Sequence, residues 1–362
     1  MKIATVVGAR PQFIKAAAVS REIAGHHDIR EIIIHTGQHF DAAMSDIFFD
    51  EMEIPRPNYE LDVNSLDHGA MTGRMLEKIE EVFQREKPDA VLVYGDTNST
   101  LAGALAAKKL HIDVVHVEAG LRSYNMNMPE EINRALTDRI SDVLCCPTDG
   151  AVENLRREGF EHLQCSIVKT GDVMLDAALY YSAIAEKRSI IIDRLKLNDG
   201  FALCTIHRAE NTDDRKRLAA VVEALNIISR EMRVVLPLHP RTRKLLRESG
   251  IELGFEAVDP VGYFDMLQLL KHAGIVLTDS GGLQKEAFFF AKPCVTLRDE
   301  TEWTELCDHG ANLLVGADCR RIVEGFHQML ASKPAFAADL YGNGHASARV
   351  VEALKGRQST AN

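Results

Sequence analysis

The chain has 362 residues, 46% of them apolar, and a formal net charge of −11. This length exceeds what one hydrophobic core usually serves, so we expect two domains of roughly 150 residues each. The acidic balance, with no run of five or six Lys or Arg, argues against nucleic acid or an anionic membrane as the main partner.

Strand-like runs alternate with longer segments of helical character along the whole chain. In the first half the runs are KIATVV, EIIIHT, AVLVYG, DVVHVE and VLCCPT, and from about residue 200 they are FALCTIH, RVVLPLH, GIVLTDS, KPCVTLR and NLLVG. This alternation predicts parallel sheets that are covered by helices on both faces.

We predict two Rossmann-like domains, residues 1–171 and 172–345, followed by a helix within 346–362 that returns to the first domain. Ligands of open parallel sheets bind beyond the carboxyl ends of the strands, so the predicted site is a central cleft between the two sheets. No apolar run reaches about 18 residues, and the first residues are not typical of a signal peptide, so we expect a cytoplasmic protein.

The first strand runs into GARPQFIK, residues 8 to 15. Gly8 permits a tight turn, and Pro11 is typical of a first helical turn, whose exposed N–H groups favour an anion. Arg10 and Lys15 add positive charge, and the guanidinium of Arg10 has donors that suit a phosphate. The alternative is an ordinary surface turn with a solvated arginine.

Carboxylates follow later strand ends in the first half. Asp96 ends AVLVYGD, Glu118 ends DVVHVE, and Glu130 and Glu131 open a helix after Pro129. Each has a structural alternative, because acids cap helices and are favoured in the first helical turn. Their position at exits of one parallel sheet nevertheless indicates acid/base chemistry.

In the second half, His207 and Arg208 follow the run FALCTI, while His239 and Arg241 follow the run RVVLPL. A histidine beside carboxylates is suited to proton transfer near neutral pH. The alternative for each histidine is a hydrogen-bonded structural role.

The strand GIVLTD runs into Ser280, Gly281 and Gly282 and then into a helix. Glycines at a helix N-terminus let backbone N–H groups approach a diphosphate closely, and Glu286, one turn later, can reach ribose hydroxyls.

The chain has no GxxxxGKS/T, no GxGxxG after the first strand and no GxSxG. Its seven cysteines form no CxxC, so neither a disulfide framework nor a metal site is expected.

Taken together, these motifs resemble those of the non-hydrolysing UDP-N-acetylglucosamine 2-epimerases. The resemblance covers almost the whole chain and rests on GARPQFIK, HTGQHFD, VYGDTNSTLAGALAA, HVEAGLRS, PEEINRALTDRISD, PTDGAVENLRREG, TGDVMLDA, TIHRAEN, LTDSGGLQKEA and KPCVTLRDETEWTE. It implies the two-domain glycosyltransferase type B fold, with a UDP-sugar in the cleft. It also implies an isomerase that needs neither NAD nor a metal and that commonly forms a homodimer.

In that family C2 of the sugar is inverted by anti elimination of UDP, which gives a 2-acetamidoglucal, and UDP then returns. The resemblance implies that Asp96, Glu118 and Glu130 are the acid/base carboxylates, with the base and the acid left unassigned, and that His207 assists at the diphosphate. The other matched positions would bind the UDP-sugar. They are Arg10, Lys15, Arg208, Met266, Ser280, Gly281, Gly282, Glu286 and Arg298.

Several departures bear on the substrate. Many members that act on UDP-N-acetylglucosamine have Thr-Arg-Pro-Glu at the positions of residues 9–12 and an aromatic residue at the position of Met266. They also differ from this chain around QHFD and Ser65. Some members bind a second UDP-GlcNAc there as activator. GARPQFIKA and DETEWTE are more similar to the subgroup that acts on UDP-2,3-diacetamido-2,3-dideoxyglucuronate, a precursor of surface polysaccharides. A uronate would require a further cation, for which Arg122, Arg208 and Arg241 are candidates.

Other readings remain open at this stage. The substrate could be UDP-N-acetylglucosamine itself, and a hydrolysing epimerase would carry the same motifs. A glycosyltransferase of the same fold would use a UDP-sugar but would not need three acids for proton transfer at C2. A non-catalytic UDP-sugar sensor would keep the SGG turn but lose the acids, which are all present.

Overall fold

The computed structural model describes residues 1–38, 55–198, 200–332, 334, 336 and 339–356, without the side chain of Arg10. The chain divides into two compact units, Met1–Leu179 with Ala338–Asn362, and Tyr180–Ala337. Each unit has its own parallel sheet and its own hydrophobic core. Among the described residues, no helix combines the length and the apolar composition that a membrane span requires.

The first unit is built on a seven-stranded sheet whose pairings are all parallel. Its strands are β1 (Lys2–Val7), β2 (Arg30–His35), β3 (Tyr59–Glu60), β4 (Ala90–Tyr94), β5 (Asp113–Val117), β6 (Val143–Cys146) and β7 (Ser166–Lys169). Its helices are α1 (Arg10–Ala24), α2 (His68–Glu86), α3 (Asn98–Lys109), α4 (Pro129–Ile140) and α5 (Asp149–Arg157), and α6 (Val173–Arg188) contains the division between the units.

The strand order of this sheet is β3-β2-β1-β4-β5-β6-β7. The chain therefore winds outward in both directions from the neighbouring strands β1 and β4, and ligands bind at such a switch point. β1 is buried on both faces, where Ala4 and Val6 pack with Ile34, Val91 and Val93. Burial on both faces explains why these strands are continuous apolar runs without polar alternation.

The second unit has a five-stranded parallel sheet of order β12-β11-β10-β8-β9. These strands are β8 (Phe201–Thr205), β9 (Val234–Val235), β10 (Ala273–Thr278), β11 (Cys294–Thr296) and β12 (Asn312–Leu314). The helices are α7 (Ile191–Arg194), α8 (Ala209–Thr212), α9 (Arg215–Ile228), α10 (Pro240–Ser249), α11 (Tyr263–His272), α12 (Gly281–Phe289), α13 (Thr304–Asp308) and α14 (Cys319–Ala331). Here the switch point lies between β8 and β10.

The last described helix, α15 (Ala346–Gly356), belongs to the first unit and packs on α1 and β6. The Asp176 carboxylate accepts hydrogen bonds from the backbone N–H groups of Ala346, at 3.1 Å, and Ser347, at 2.7 Å. At the other end of the helix, Lys355 Nζ lies 2.9 Å from Asp28 Oδ2. These contacts attach the end of the chain to the unit that its first half forms.

Each of the ten predicted runs contains a strand, and the parallel α/β architecture is confirmed. The structure adds β3 and β7, which were not predicted. Both are edge strands of two and four residues with partly exposed side chains. Strands of this kind carry no continuous apolar run, so the sequence pattern does not reveal them.

Glu31 on β2 has a partly buried carboxylate that lies among hydroxyl groups. Its Oε1 accepts hydrogen bonds from Thr5 Oγ1 at 2.5 Å and from Ser20 Oγ at 3.0 Å. Burial raises the pKa of Glu31 above its ordinary 4.5, and the two hydroxyl donors offset this only in part. The folded protein therefore holds this proton more tightly than the unfolded chain. The resulting stabilisation is present below pH 4.5 and is lost as the pH rises through the raised pKa.

We expect Glu31→Gln to raise the melting temperature at pH 8, because the amide oxygen can accept both hydrogen bonds without a buried charge. The difference from the native protein should shrink as the pH is lowered towards 4.5. Thermal unfolding followed by circular dichroism at pH 8 and pH 5 measures both effects. Glu81→Gln, at an exposed position, is the control. A melting temperature at pH 8 equal to or below the native value would contradict the prediction.

Candidate active site

Two predicted carboxylates lie at the ends of adjacent strands in the first unit. Asp96 follows β4 and Glu118 follows β5, and these strands pair in parallel. Glu118 has φ of +71°, in the left-handed region, and such strain at a non-glycine residue is typical of functional sites. The ammonium of Lys15, on α1, forms an ion pair with Glu118, and both side chains are more than 90% buried.

Gly95 connects this ion pair to Asp96. It has φ of +62°, and a Cβ atom there would lie 3.2 Å from Lys15 Nζ and 3.3 Å from Glu118 Oε1. A side chain at this position would therefore be strained and would also displace the pair. The absence of a side chain lets the backbone that carries Asp96 lie directly against Lys15 and Glu118.

Asp96 is held by residues of α4. The guanidinium of Arg134 forms an ion pair with its carboxylate, and Asn133 Nδ2 donates to its backbone oxygen at 3.0 Å. Arg134 Nη1 also lies 3.1 Å from Glu131 Oε2. Neither Arg134 nor Asn133 was predicted from the sequence, although both lie within the PEEINR stretch that provides the third acid.

Glu130 and Glu131 have different environments, because successive helical residues point in different directions. Glu130 is exposed in the first turn of α4 and makes no hydrogen bond or ion pair with the described residues. Glu131 is buried and accepts hydrogen bonds from the backbone N–H groups of Ser123, at 2.9 Å, and Tyr124, at 3.0 Å. Glu131 thus orders the loop before α4, while Glu130 has a carboxylate available to a ligand.

Two N–H groups of the turn before α1, where an anion was predicted to bind, are already used by a side chain of the protein. Gln12 Oε1 accepts from the N–H groups of Gly8, at 2.8 Å, and Ala9, at 3.0 Å. Gln12 Nε2 donates to Tyr94 O at 2.9 Å, so this buried amide connects the ends of β1 and β4. The side chain of Arg10 lies outside the described part of the chain, and its contact with a phosphate stays a prediction.

In the second unit, His207 follows β8 and forms a pair with Asp279, which follows the neighbouring strand β10. His207 Nδ1 lies 3.1 Å from Asp279 Oδ1, and the backbone N–H of Arg208 donates to Asp279 Oδ2 at 3.1 Å. Burial raises the pKa of Asp279, but the hydrogen bond and charge of His207, with the backbone donors, outweigh burial and leave this pKa below 3.8. Asp279 is fully buried, whereas the His207 side chain is 48% exposed.

The SGG turn begins α12. Ser280 is the N-cap residue, and its hydroxyl accepts from the N–H of Leu283 at 3.4 Å. Gly281 and Gly282 occupy the first helical positions, whose N–H groups have no partner within a helix. Added side-chain atoms at Gly281 would overlap the Glu302 carboxylate, whereas a Cβ at Gly282 would have no neighbour within 4 Å among the described residues.

Glu286 lies one turn into α12 and is buried. Its Oε1 accepts a hydrogen bond from Tyr263 Oη at 3.1 Å, a partner on α11 that the sequence did not reveal. Met266 lies one turn after Tyr263 on the same helix and packs partly buried against the core of this unit. The predicted contact of Met266 with a ligand stays a prediction.

Arg298 is 1% exposed, and its Nη1 lies 2.9 Å from Glu302 Oε2. Arg298 thus holds Glu302, whose carboxylate lies beside Gly281. The predicted contact of Arg298 with a ligand stays a prediction.

The three arginines predicted as candidates for binding a uronate have different environments in the structure. Arg122 is a poor candidate, because its buried guanidinium is taken up by Asp138, at 2.6 Å, and Glu158, at 2.7 Å. Arg241 forms an ion pair with Asp213. Arg208 is partly buried, and its guanidinium makes no hydrogen bond or ion pair with the described residues. Over the same part of the chain, no group of three or more His, Cys, Asp or Glu has the arrangement of a metal site.

Known proteins resemble this chain over nearly its full length. Residues 21–355 match the model of the UDP-N-acetylglucosamine 2-epimerase family. This chain belongs to that family. UDP-2,3-diacetamido-2,3-dideoxy-D-glucuronate 2-epimerase of Pseudomonas aeruginosa is 57% identical over 98% of this chain and 99% of that protein. UDP-N-acetylglucosamine 2-epimerase of Methanocaldococcus jannaschii is 43% identical over 98% of this chain and 99% of that protein.

Solved structures agree with the family assignment. The crystal structure of the Methanocaldococcus jannaschii epimerase in complex with UDP-GlcNAc and UDP has a TM-score of 0.91, with 43% identity, and covers 98% of this chain and 100% of that chain. A structure of S. aureus MnaA with UDP has a TM-score of 0.89, with 32% identity, and covers 99% of this chain and 97% of that chain. These likenesses confirm the predicted family and its two parallel-sheet fold of the glycosyltransferase type B kind.

Within the epimerase-family chain, each unit brings part of the predicted site together. In the first unit, Lys15 contacts Glu118, and Gly95 connects this pair to Asp96. In the second unit, His207 and the SGG turn follow adjacent strands. The sequence reasoning missed Asp279, although the strand-end rule that selected Asp96 applies to it equally, since it directly precedes Ser280.

Proposed function

We propose that the protein is a non-hydrolysing UDP-sugar 2-epimerase whose substrate is UDP-2,3-diacetamido-2,3-dideoxyglucuronate. The observation that carries this proposal is the 57% identity, over nearly the whole of both chains, to the Pseudomonas aeruginosa enzyme of that name. The carboxylates at adjacent strand ends of the first unit supply chemistry of the required kind. The product would serve the synthesis of a surface polysaccharide such as a lipopolysaccharide, in the cytoplasm.

The proposed reaction needs a base, an acid and a stabilised leaving group. A carboxylate takes the C2 proton, and the electrons of the C2–H bond form the C1–C2 double bond of the glycal. The C1–O bond breaks, and its electron pair leaves with the β-phosphate oxygen of UDP. Return of the proton to the opposite face of C2, with re-addition of UDP at C1, completes the inversion. The C2 proton is weakly acidic, so the step depends on a positioned base and on stabilisation of the diphosphate.

The first unit supports the proton-transfer part of this proposal. Asp96 and Glu118 have separate cationic partners, Arg134 and Lys15, which orient the two carboxylates independently. Glu130 adds an exposed third acid at the start of α4. We propose that two of these three groups exchange the C2 proton on opposite faces of the sugar, and we leave the base and the acid unassigned among them.

The second unit supports the leaving-group part. Asp279 holds the Nδ1 side of His207, so the other ring nitrogen is available to a diphosphate oxygen. The first-turn N–H groups of Gly281 and Gly282 would bind the diphosphate, and Glu286, oriented by Tyr263, would bind the ribose. Every step uses side chains and backbone of the chain itself.

Gly282 offers a direct test of the diphosphate contact. A methyl group at this position meets no described atom, so Gly282→Ala should fold as stably as the native protein. If the diphosphate lies against this turn, the methyl group displaces it, and we expect the Kd for UDP to rise about tenfold or more. Gly73→Ala, on α2, has an equally open position and is the control for calorimetric titration with UDP. Native affinity in Gly282→Ala would argue against this contact.

The experiment that tests the function is proton NMR of the purified protein in D2O, with UDP-GlcNAc and UDP-2,3-diacetamidoglucuronate offered separately. Deuterium at C2 and a manno product from the uronate alone would support the proposal. The same result from UDP-GlcNAc alone would favour the second candidate, a UDP-N-acetylglucosamine 2-epimerase, which the 43% identity to the Methanocaldococcus jannaschii enzyme supports. Free sugar would indicate a hydrolysing enzyme. Exchange with neither substrate would favour a transferase or a sensor.

We also propose a homodimer. Ile132 and Leu136, one turn apart on α4, form an exposed apolar stripe, and Met126 in the preceding loop is 61% exposed. Apolar side chains exposed together on one helix face are of the kind that protein interfaces cover. Light scattering should give twice the chain mass, and Leu136→Glu should shift the protein towards monomer. Leu330→Glu, at an exposed position in the second unit, is the control. A monomeric native protein would exclude the dimer.

A further inference from the structure

A buried ionic cluster underlies the ends of β4 and β5, and the chemistry proposed above does not use it. The cluster consists of His116, Arg122 and Asp138, and the exposed Glu158 pairs with Arg122 at its edge. His116 and Asp138 are fully buried, and the side chain of Arg122 is 2% exposed. Burial of charges is unfavourable unless each is paired and hydrogen-bonded, so such a network constrains its surroundings strongly.

Both ring nitrogens of His116 face acceptors. Nδ1 lies 2.7 Å from Asp138 Oδ1, and Nε2 lies 2.7 Å from the backbone oxygen of Gly95. A carbonyl oxygen can only accept, and an ionised carboxylate can only accept. Arg122 also pairs with Asp138, which favours the ionised carboxylate. Nε2, which faces a carbonyl oxygen, therefore donates a hydrogen bond to Gly95.

Asp138 is held by donors besides His116. Its Oδ2 accepts from Arg122 Nη1 at 2.6 Å and from the N–H of Gly120 at 3.1 Å. Arg122 also donates to both carboxylate oxygens of Glu158, at 2.7 and 2.8 Å. The carboxylate that faces Nδ1 of His116 is therefore fixed in position by a buried ion pair.

The carbonyl that accepts from Nε2 of His116 lies at a sensitive point of the first unit. The carbonyl of Gly95 belongs to the peptide bond that joins Gly95 to Asp96. The Cα of Gly95 lies against Lys15 and Glu118, and Asp96 is the next residue. A rotation of this one peptide would displace Asp96 and would change the backbone that packs against Lys15 and Glu118.

We propose that His116 is a positioning residue whose ring bridges the Asp138 carboxylate and the Gly95 carbonyl, and whose hydrogen bond from Nε2 to that carbonyl fixes the peptide that carries Asp96. The expected effect on catalysis rests on the proposed function, whereas the hydrogen bonds of the His116 ring do not depend on that function. Displacement of a catalytic group by about 1 Å can lower a rate about 100-fold, which sets the expected size of the effect.

The first measurement is ¹⁵N NMR of the full-length protein with labelled histidine. His116→Gln identifies the His116 signals. A hydrogen on Nε2 of His116 supports the proposal, and an Nε2 without hydrogen overturns the hydrogen bond to the Gly95 carbonyl. This readout needs no turnover, so it remains decisive even if neither UDP-sugar is a substrate.

The second measurement is turnover of His116→Gln, with His162→Gln, an exposed position in the same unit, as the control. We expect kcat to fall about 100-fold with KM nearly unchanged, because the sugar still binds while the carboxylate is misplaced. A folded His116→Gln with native kcat would overturn the positioning role. Should this variant not fold, Asp138→Asn removes the carboxylate that faces Nδ1 of His116, and the same loss or retention of kcat decides.

Discussion

Asp96→Asn should lower turnover of the UDP-sugar by at least about 100-fold and leave UDP binding nearly unchanged. The amide cannot accept the C2 proton or return it, but its oxygen can still accept the hydrogen bond from Arg134 and keep this buried guanidinium partnered. The fold should therefore be preserved. Initial rates of C2 deuterium exchange, together with calorimetric titration with UDP, separate the chemical step from binding.

Asp67→Asn, at an exposed position in the same unit, is the matched control for this experiment and should retain native turnover. Glu118→Gln should behave like Asp96→Asn if the two carboxylates act on opposite faces of the sugar. Native exchange rates in Asp96→Asn would remove this residue from the mechanism. Loss of exchange together with loss of UDP binding would instead indicate a disrupted unit.

Asp279→Asn should lower kcat about 100-fold or more, because it removes the carboxylate that holds the Nδ1 side of His207. Asn keeps an oxygen that can accept from the backbone N–H groups of His207 and Arg208, so the turn after β8 should retain its conformation. His207→Gln should show a loss of similar size. Steady-state kinetics of both variants, with melting temperatures as a check of folding, provides the measurement.

The double variant Asp279→Asn/His207→Gln decides whether Asp279 acts through the histidine. If it does, the double variant should be no slower than His207→Gln alone, since residues that act as a unit are not additive. Multiplied losses would mean that Asp279 has a separate role. An Asp279→Asn protein with native kcat would mean that the buried carboxylate serves only the fold of this turn.

Much of the site could be predicted from position along the chain. Asp96, Glu118, His207 and Ser280 each follow an apolar run, and parallel strands place their carboxyl ends at one edge of a sheet. No comparable rule identified the partners of these residues. Arg134 lies 38 residues from Asp96, and the backbone N–H of His207 bonds to Asp279 across 72 residues. Such pairs depend on strand order and helix rotation, which the local pattern does not contain.

Two local predictions were changed by packing. The amides at the start of α1 were expected to bind an anion, but the buried side chain of Gln12 already occupies those of Gly8 and Ala9. Arg122 was a candidate for binding a uronate, but Asp138 and Glu158 hold its guanidinium inside the unit. In both cases the residues suited the predicted chemistry. Their hydrogen-bond donors, however, are already used by neighbours that only the three-dimensional structure reveals.

The sequence by itself determined the class of fold, the strands at the sheet centres and the family, because these depend on hydrophobic periodicity and on motifs that are contiguous in the chain. Only the tertiary structure decided which of two adjacent glutamates is buried, which cation holds each carboxylate, and that His116 has an acceptor on both ring nitrogens. The physical reason is that burial and hydrogen-bond partners are properties of packed surfaces. These surfaces bring together residues that lie far apart in the sequence, at distances of a few ångströms.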